Sequence, residues 1–293
     1  MFPPMSRNPF VVLGAVFLGV LVLAGGLFLL VGQDSTPSPS GGSAAAQGPA
    51  PSGPARTSDE AVSFAISDGA LVPDPSGPQQ DAATQAAADA YWARFSLIAG
   101  DAAASVTAFS LYDDPDDTSE ASVARDDGTA SAWDLQVNAA WAADSGELDH
   151  TLVHEFGHLL SLSPADVAEV TGACPTLQLS EGCARPGSAI AAFQERFWSG
   201  LDVGTPGGTP SDSEVTAFYQ ANGGSDSFVS EYAATNLTED VAESWAAYVL
   251  SATPGFSYRD ASGSAVWSQK VRFFDGFPAL VSERERIRGA LGL

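Results

Sequence analysis

Apolar and polar positions divide this chain into three regimes. From Pro9 to Gly32 no charged residue interrupts an apolar run, and about 20 such residues cross a bilayer as a helix. Residues 33–58 hold Pro, Gly, Ser and Ala with almost no large apolar side chain. They cannot bury enough surface to fold and read as a disordered linker. From residue 59 to 293 apolar side chains recur at helix and strand periods, so folding and chemistry are expected there.

Within that stretch, residues 83–98 predict an amphipathic helix burying Tyr91, Trp92, Phe95 and Leu97. Residues 106–112 alternate toward strand, an acidic Pro-containing turn follows at 113–118, and a second strand is expected at 121–125. Residues 131–138 set Trp133, Leu135 and Val137 on one face, as a half-buried strand does. A buried helix is expected from Asp144 or Ser145 to about Leu162. Residues 164–207 are harder to read, with a helical stretch at 189–197 and a Gly/Pro/Thr-rich loop at 204–209. Helices are then expected from Ser211 or Ser213 to about Asn222 and from Asn236 or Thr238 to about Leu250. Acidic Glu239 and Asp240 suit the first turn of the latter. Two further helices are expected at 263–274 and 278–291. No internal repeat is visible.

Composition narrows the partners. Acidic side chains number 36 against 12 basic ones, for a net charge of −24. Nucleic acid and anionic lipid surfaces would be repelled. Lys270 is the sole lysine. Arg7 precedes the apolar run and Asp34 follows it, so residues 1–8 are expected in the cytoplasm and everything after residue 33 outside. No small-residue cleavage site closes the run. That favours an uncleaved single-pass anchor at 9–32 in the cell membrane, the alternative being a cleaved signal peptide. Cys174 and Cys183, the two cysteines, would then lie in an oxidising compartment. A disulfide closing the loop between them is expected, with two free thiols as the alternative.

The chemistry concentrates in His154-Glu155-Phe156-Gly157-His158. Two histidines four apart share a helix face and can both reach one metal ion, and Glu155 projects beside them. Zn²⁺ suits two imidazoles plus a carboxylate with one open position. A third histidine does not follow: Ser161 stands three residues beyond His158, and no His occurs later. The remaining ligand must come from elsewhere, and Glu239 and Glu243 offer two carboxylates on one helical face. One can bind the metal while the other accepts from the distal nitrogen of a ligand histidine. His150, four residues before His154, reads as an ordinary exposed residue rather than a ligand. Asn236-Leu237-Thr238 matches a glycosylation sequon, but a cap or loop role is the expected one.

HEFGH followed later by Tyr232, six residues, Glu239, three residues and Glu243 resembles the C-terminal peptidase domain of anthrax lethal factor and related gluzincin-type zinc metallopeptidases. The resemblance covers the segments around 151–160 and 228–249, about a tenth of the chain. It implies an α+β, zincin-like domain: a small sheet and the HExxH helix, then a mainly helical C-terminal subdomain. It further implies His154, His158 and Glu239 as zinc ligands, Glu155 as general base, Glu243 behind a ligand histidine, and Tyr232 donating to the oxyanion or leaving group. Eighty residues lie between His158 and Glu239, a longer interval than the resemblance leads one to expect, and that interval includes both cysteines. The function so implied is hydrolysis of peptide bonds in a peptide or protein substrate. The rival is a non-catalytic anchored zinc-binding or scaffold module.

Overall fold

The computed structural model describes residues 61–293 except 76, 78–79, 118, 127–130, 141–144, 171, 202–207 and 254–257. The expected anchor at 9–32 and linker at 33–58 lie outside the described residues, as does most of the 204–209 loop. Among the described residues, no helix is long and apolar enough to cross a membrane.

The fold is α+β. Strands β1 (Val62–Ser67), β2 (Ala70–Pro73), β3 (Val106–Tyr112), β4 (Ala121–Arg125) and β5 (Trp133–Asn138) form one mixed sheet in the order β2-β1-β3-β5-β4. Only β3 and β5 run parallel; the other neighbours are antiparallel. The β1–β2 hairpin was not among the expected elements, although its signal is present. Val62, Phe64 and Ile66 alternate with polar or small residues, and Asp68 and Gly69 form the turn at φ of 53° and 77°. Asp-Gly with both residues left-handed is a favoured two-residue hairpin turn. The strand expected at 131–138 forms as β5, enclosed between β3 and β4, and the edge on that side belongs to β4.

Helix α1 (Ala82–Ala99) begins at Asp81, which accepts the Thr84 N–H. Its Trp92 and Phe95 pack near Phe109 of β3 and Phe64 of β1, and the Trp92 indole donates to Gly69 O at 2.8 Å, whereas Leu97, expected to be buried, is exposed. Helix α2 (Ser145–Ser161) is joined to α1 by a bidentate pair, with Arg94 Nε and Nη2 each 2.6 Å from Asp149 oxygens.

After α2 the chain forms a small sheet, unforeseen in the sequence, of β6 (Val167–Ala168), β7 (Gln178–Leu179) and β8 (Gly182–Ala184), ordered β6-β8-β7. A disulfide joins Cys183 of β8 to Cys174 in the segment before β7. Gly182 lies at φ 144°, and a Cβ there would fall 2.1 Å from Ala168 O, so only glycine fits. The expected helix at 189–197 divides into α3 (Ala189–Phe193) and a π turn at Gln194–Trp198.

Four helices complete the chain: α4 (Asp212–Ala221), α5 (Leu237–Leu250), α6 (Val266–Val271) and α7 (Pro278–Leu291). The expected 263–274 helix is shorter, because α6 gives way to a 3₁₀ turn at Arg272–Gly276. Arginines of α7 close the ends of other helices. Arg286 donates to Leu97 O and Ile98 O of α1, and Arg288 to Val249 O and Ser251 O at the end of α5. Carbonyls that a helix leaves unpaired thus meet cations of favourable sign.

Helix α5 is buried along nearly its whole length and lies against α2. The contact closes at Gly157, where a Cβ would sit 3.0 Å from Trp245 Cδ1 and 3.2 Å from Ala242 Cα. Replacing glycine by alanine inside a helix ordinarily gains about 0.5–1 kcal/mol. Here overpacking of about 1–3 kcal/mol opposes that gain. Gly157→Ala is therefore expected to lower the midpoint of urea unfolding. A midpoint equal to the wild type's would show that the two helices separate without cost.

Candidate metal centre

The site is assembled where α2 and the first turns of α5 meet. The i,i+4 spacing on α2 brings the Nε2 atoms of His154 and His158 to 3.1 Å. Glu239 enters from α5, whose start is fixed by Asn236: its side chain accepts the Glu239 N–H at 3.0 Å and the Thr238 hydroxyl at 2.7 Å. The sequon residue is thus a helix cap. Glu239 Oε2 lies 3.0 Å from His154 Nε2 and 3.3 Å from His158 Nε2.

These three residues are the one group of His, Cys, Asp or Glu side chains among the described residues that can hold a metal ion. Ligand atoms around a tetrahedral ion with bonds of about 2.0–2.1 Å stand roughly 3.3 Å apart. The observed triangle of 3.0–3.3 Å edges fits such an ion.

Glu243, one turn along α5, lies behind the triangle. His154 Nδ1 is 2.8 Å from Glu243 Oε1. The other Glu243 oxygen accepts from Ser230 Oγ at 2.6 Å, and Ser230 also takes the Ala233 N–H. With its Nδ1 proton donated to Glu243, neutral His154 turns a lone pair at Nε2 toward Glu239. A lone pair facing a carboxylate 3.0 Å away requires a cation between them or a proton on the ring.

The electrostatics express the same demand. Burial alone would lower His154 and His158. The Glu239 and Glu243 contacts outweigh it for His154, and Glu239 does so for His158, so both stand above the ordinary 6.5 in the metal-free protein. Burial would raise both carboxylates. His158 and His154 instead hold Glu239 far below the usual range, and His150, His154 and Ser230 bring Glu243 down to about 2.

Glu155 is buried beside the ligands, and one oxygen accepts the Val123 N–H of edge strand β4 at 2.9 Å. Burial, reinforced by Glu239, raises its pKa above the usual carboxylate value despite the two histidines. The Tyr232 ring lies 5.8 Å from that of His154. The residue is 54% exposed, yet its hydroxyl senses the site: Glu239 first, then burial, Glu155 and Glu243 push its pKa well above 10.

His154, Glu155, His158, Tyr232, Glu239 and Glu243 are thus brought together. His150, expected to be an ordinary exposed residue, is instead half-buried beside the triangle: its Nε2 is 3.7 Å from Glu243 Oε1 and its ring packs on Tyr258. Cys174 and Cys183 belong to the disulfide-bonded hairpin. Ser230 was not anticipated, and a single serine two positions before Tyr232 carries no signal that would have found it. Family models, curated proteins and solved structures offer no match to this chain, so the meaning of the site rests on its geometry.

The titrations predict a pH signature. Stability from the raised histidines is fully present below their unfolded value of 6.5 and is lost as pH rises through their folded values. Stability from Glu239 and Glu243 is present above 4.5 and is lost as pH falls through their depressed values. Glu155, raised from 4.5, adds to the loss on the alkaline side. Thermal stability of the metal-free full chain should therefore fall above pH 6.5. A divalent ion, which needs neutral imidazoles, should reverse that trend by binding more tightly as pH rises. Identical pH profiles with and without metal would contradict the site.

Proposed function

We propose that this chain is a zinc-dependent peptidase of the gluzincin type, with residues 9–32 holding it in the membrane and the folded domain facing an extracytoplasmic compartment. The observation that carries the reading is the His154–His158–Glu239 triangle with Glu155 beside it and Glu243 behind it. Two nitrogens and one oxygen favour zinc over magnesium or calcium, which prefer all-oxygen surroundings. The disulfide suits an oxidising compartment, and the uncharged run after Arg7 supports the anchor and its orientation.

His154, His158 and Glu239 would hold the zinc, which when bound supplies a Lewis acid that brings a water's pKa toward 7 and polarises a carbonyl. Glu155 takes a proton from the attacking water and passes it to the departing amine. Its raised pKa brings it closer to the operating pH, as a group that must accept and then release a proton requires. Glu243 holds the His154 Nδ1–H, which fixes ring orientation and tautomer. Tyr232 offers its hydroxyl to the oxyanion of the tetrahedral intermediate, and the high pKa keeps that proton available.

The substrate backbone is expected to add to β4 in extended form. Even-numbered positions face β5, since Glu120 O accepts from Asn138 N and Asp126 N donates to Ala132 O. The backbone groups of Ala121, Val123 and Arg125 therefore point away from the sheet. A structural zinc module, the rival reading, has no use for a buried Glu155 whose pKa is raised.

Glu155→Gln in the full chain should keep its zinc by elemental analysis while cleavage of a fluorogenic peptide library falls at least ~10²–10⁴-fold. Tyr232→Phe should lose about 10²–10³-fold. A zinc-loaded wild type that cleaves no peptide in such a library would leave the scaffold module standing.

A further inference from the structure

Directly behind the metal centre lies a second charged cluster that the reaction does not use. Asp240, the residue after Glu239, is fully buried, and Lys270 of α6 is 1% exposed. Lys270 Nζ stands 2.5 Å from Asp240 Oδ2, and the Trp198 indole N–H donates to that oxygen at 2.7 Å. The ammonium also lies 3.9 Å from the centre of the Phe228 ring, a cation–π contact in a dry setting. The only lysine in the chain therefore sits where a lysine is rarely found.

Its contacts converge on both segments that build the site. Asp240 stands on the first turn of α5, where a side chain one position on points about 100° away from Glu239 around the axis. Fixing Asp240 on the far side fixes the rotation of α5, and so the aim of Glu239 and Glu243. Phe228 opens the segment that delivers Ser230 to Glu243 and Tyr232 to His154. Trp198 ends the π turn and packs on Phe228 and Phe218. Functional constellations tolerate displacements of only about 0.5 Å or 10–20°. A fully buried ion pair is a costly way to gain stability, since apolar residues of similar volume often do as well. It is, however, a directional anchor.

We propose that Lys270 is a positioning residue of the metal centre: through Asp240 and Phe228 it sets the rotation of α5 and the placement of the Ser230–Tyr232 segment. The inference rests on the reading of His154, His158 and Glu239 as metal ligands. Lys270→Met in the full chain should weaken zinc binding about 10–100-fold, as loss of outer support around a metal typically does, measured by competition with a chromophoric chelator. Cobalt substituted for zinc should show a changed visible absorption spectrum. Phe64→Ala, a distant core change in β1, should lower stability while leaving both readouts at wild-type values.

Should Lys270→Met fail to fold, Asp240→Leu combined with Lys270→Met removes both charges and is expected to regain stability. Zinc affinity should stay reduced in that double variant. Recovery of stability and affinity together, or a cobalt spectrum unchanged in either variant, would overturn the positioning role. Zinc bound normally by Lys270→Met would overturn this inference and leave the proposed function intact, whereas a wild type that binds no zinc would remove both.

Discussion

The close approach of α2 to α5 at Gly157 is the constraint on which the remainder of the structure depends. Two helices that pass with no side chain between them bring their next residues together. On α2 those residues are His154 and His158, and on α5 they are Glu239 and Glu243. Both helices are lined elsewhere by apolar side chains, including Val153, Phe156, Trp245 and Ala246. Packing therefore holds charged groups at close separations in buried surroundings. A larger residue at 157 would part the helices and open the 3.0–3.3 Å triangle.

Holding those carboxylates in place needs balance from outside the triangle. Glu239, Asp240 and Glu243 are all buried within two turns of one helix, and like charges so arranged repel. The fold separates them by direction. Glu239 and Glu243 face the histidines, with Ser230 completing the second, while Asp240 is turned away to Lys270 and Trp198. The same economy of cations recurs elsewhere. Arg94 joins α1 to α2, Arg125 bonds Leu162 O and Glu181 O, and the arginines of α7 close α1 and α5. In a chain with 12 basic side chains against 36 acidic ones, these cations hold interior junctions rather than form a basic surface.

What the sequence made legible was what is local. The i,i+4 spacing of His154 and His158, the same spacing of Glu239 and Glu243, and a cap at Asn236 or Thr238 all follow from helix geometry within a few residues, and the structure selects Asn236. The strand at 106–112, which alternation predicts, and the strand expected at 121–125 occur at those bounds. What escaped depends on partners far along the chain. Gly157 looks like a weak point of a helix until Ala242 and Trp245 lie opposite. Lys270 looked like a compositional oddity because Asp240 is 30 positions away. The strand at 133–138 carries no mark that distinguishes an interior from an edge position, since that depends on which neighbours pair with it. The Asp68-Gly69 hairpin is the exception, since its signal is local.

On the proposed reading, edge strand β4 serves two ends that bear on each other. Its outward N–H at Val123 holds Glu155, which keeps a buried carboxylate from lying unpaired among the ligands. The same edge is where a substrate backbone would add. An extended chain pairing with β4 would compete for the Val123 N–H, and the one bond made there would release Glu155 Oε2 toward the water it must deprotonate. Docking and activation of the base would then be coupled through one backbone amide. The coupling needs no moving domain, only the alternation that points odd-numbered positions of β4 out of the sheet. It also gives the disulfide-bonded hairpin a mechanical role, because Arg125, the last residue of β4, bonds Glu181 O at the turn between β7 and β8. The hairpin thereby steadies the strand whose Val123 N–H restrains Glu155 and which, on that reading, would receive the substrate.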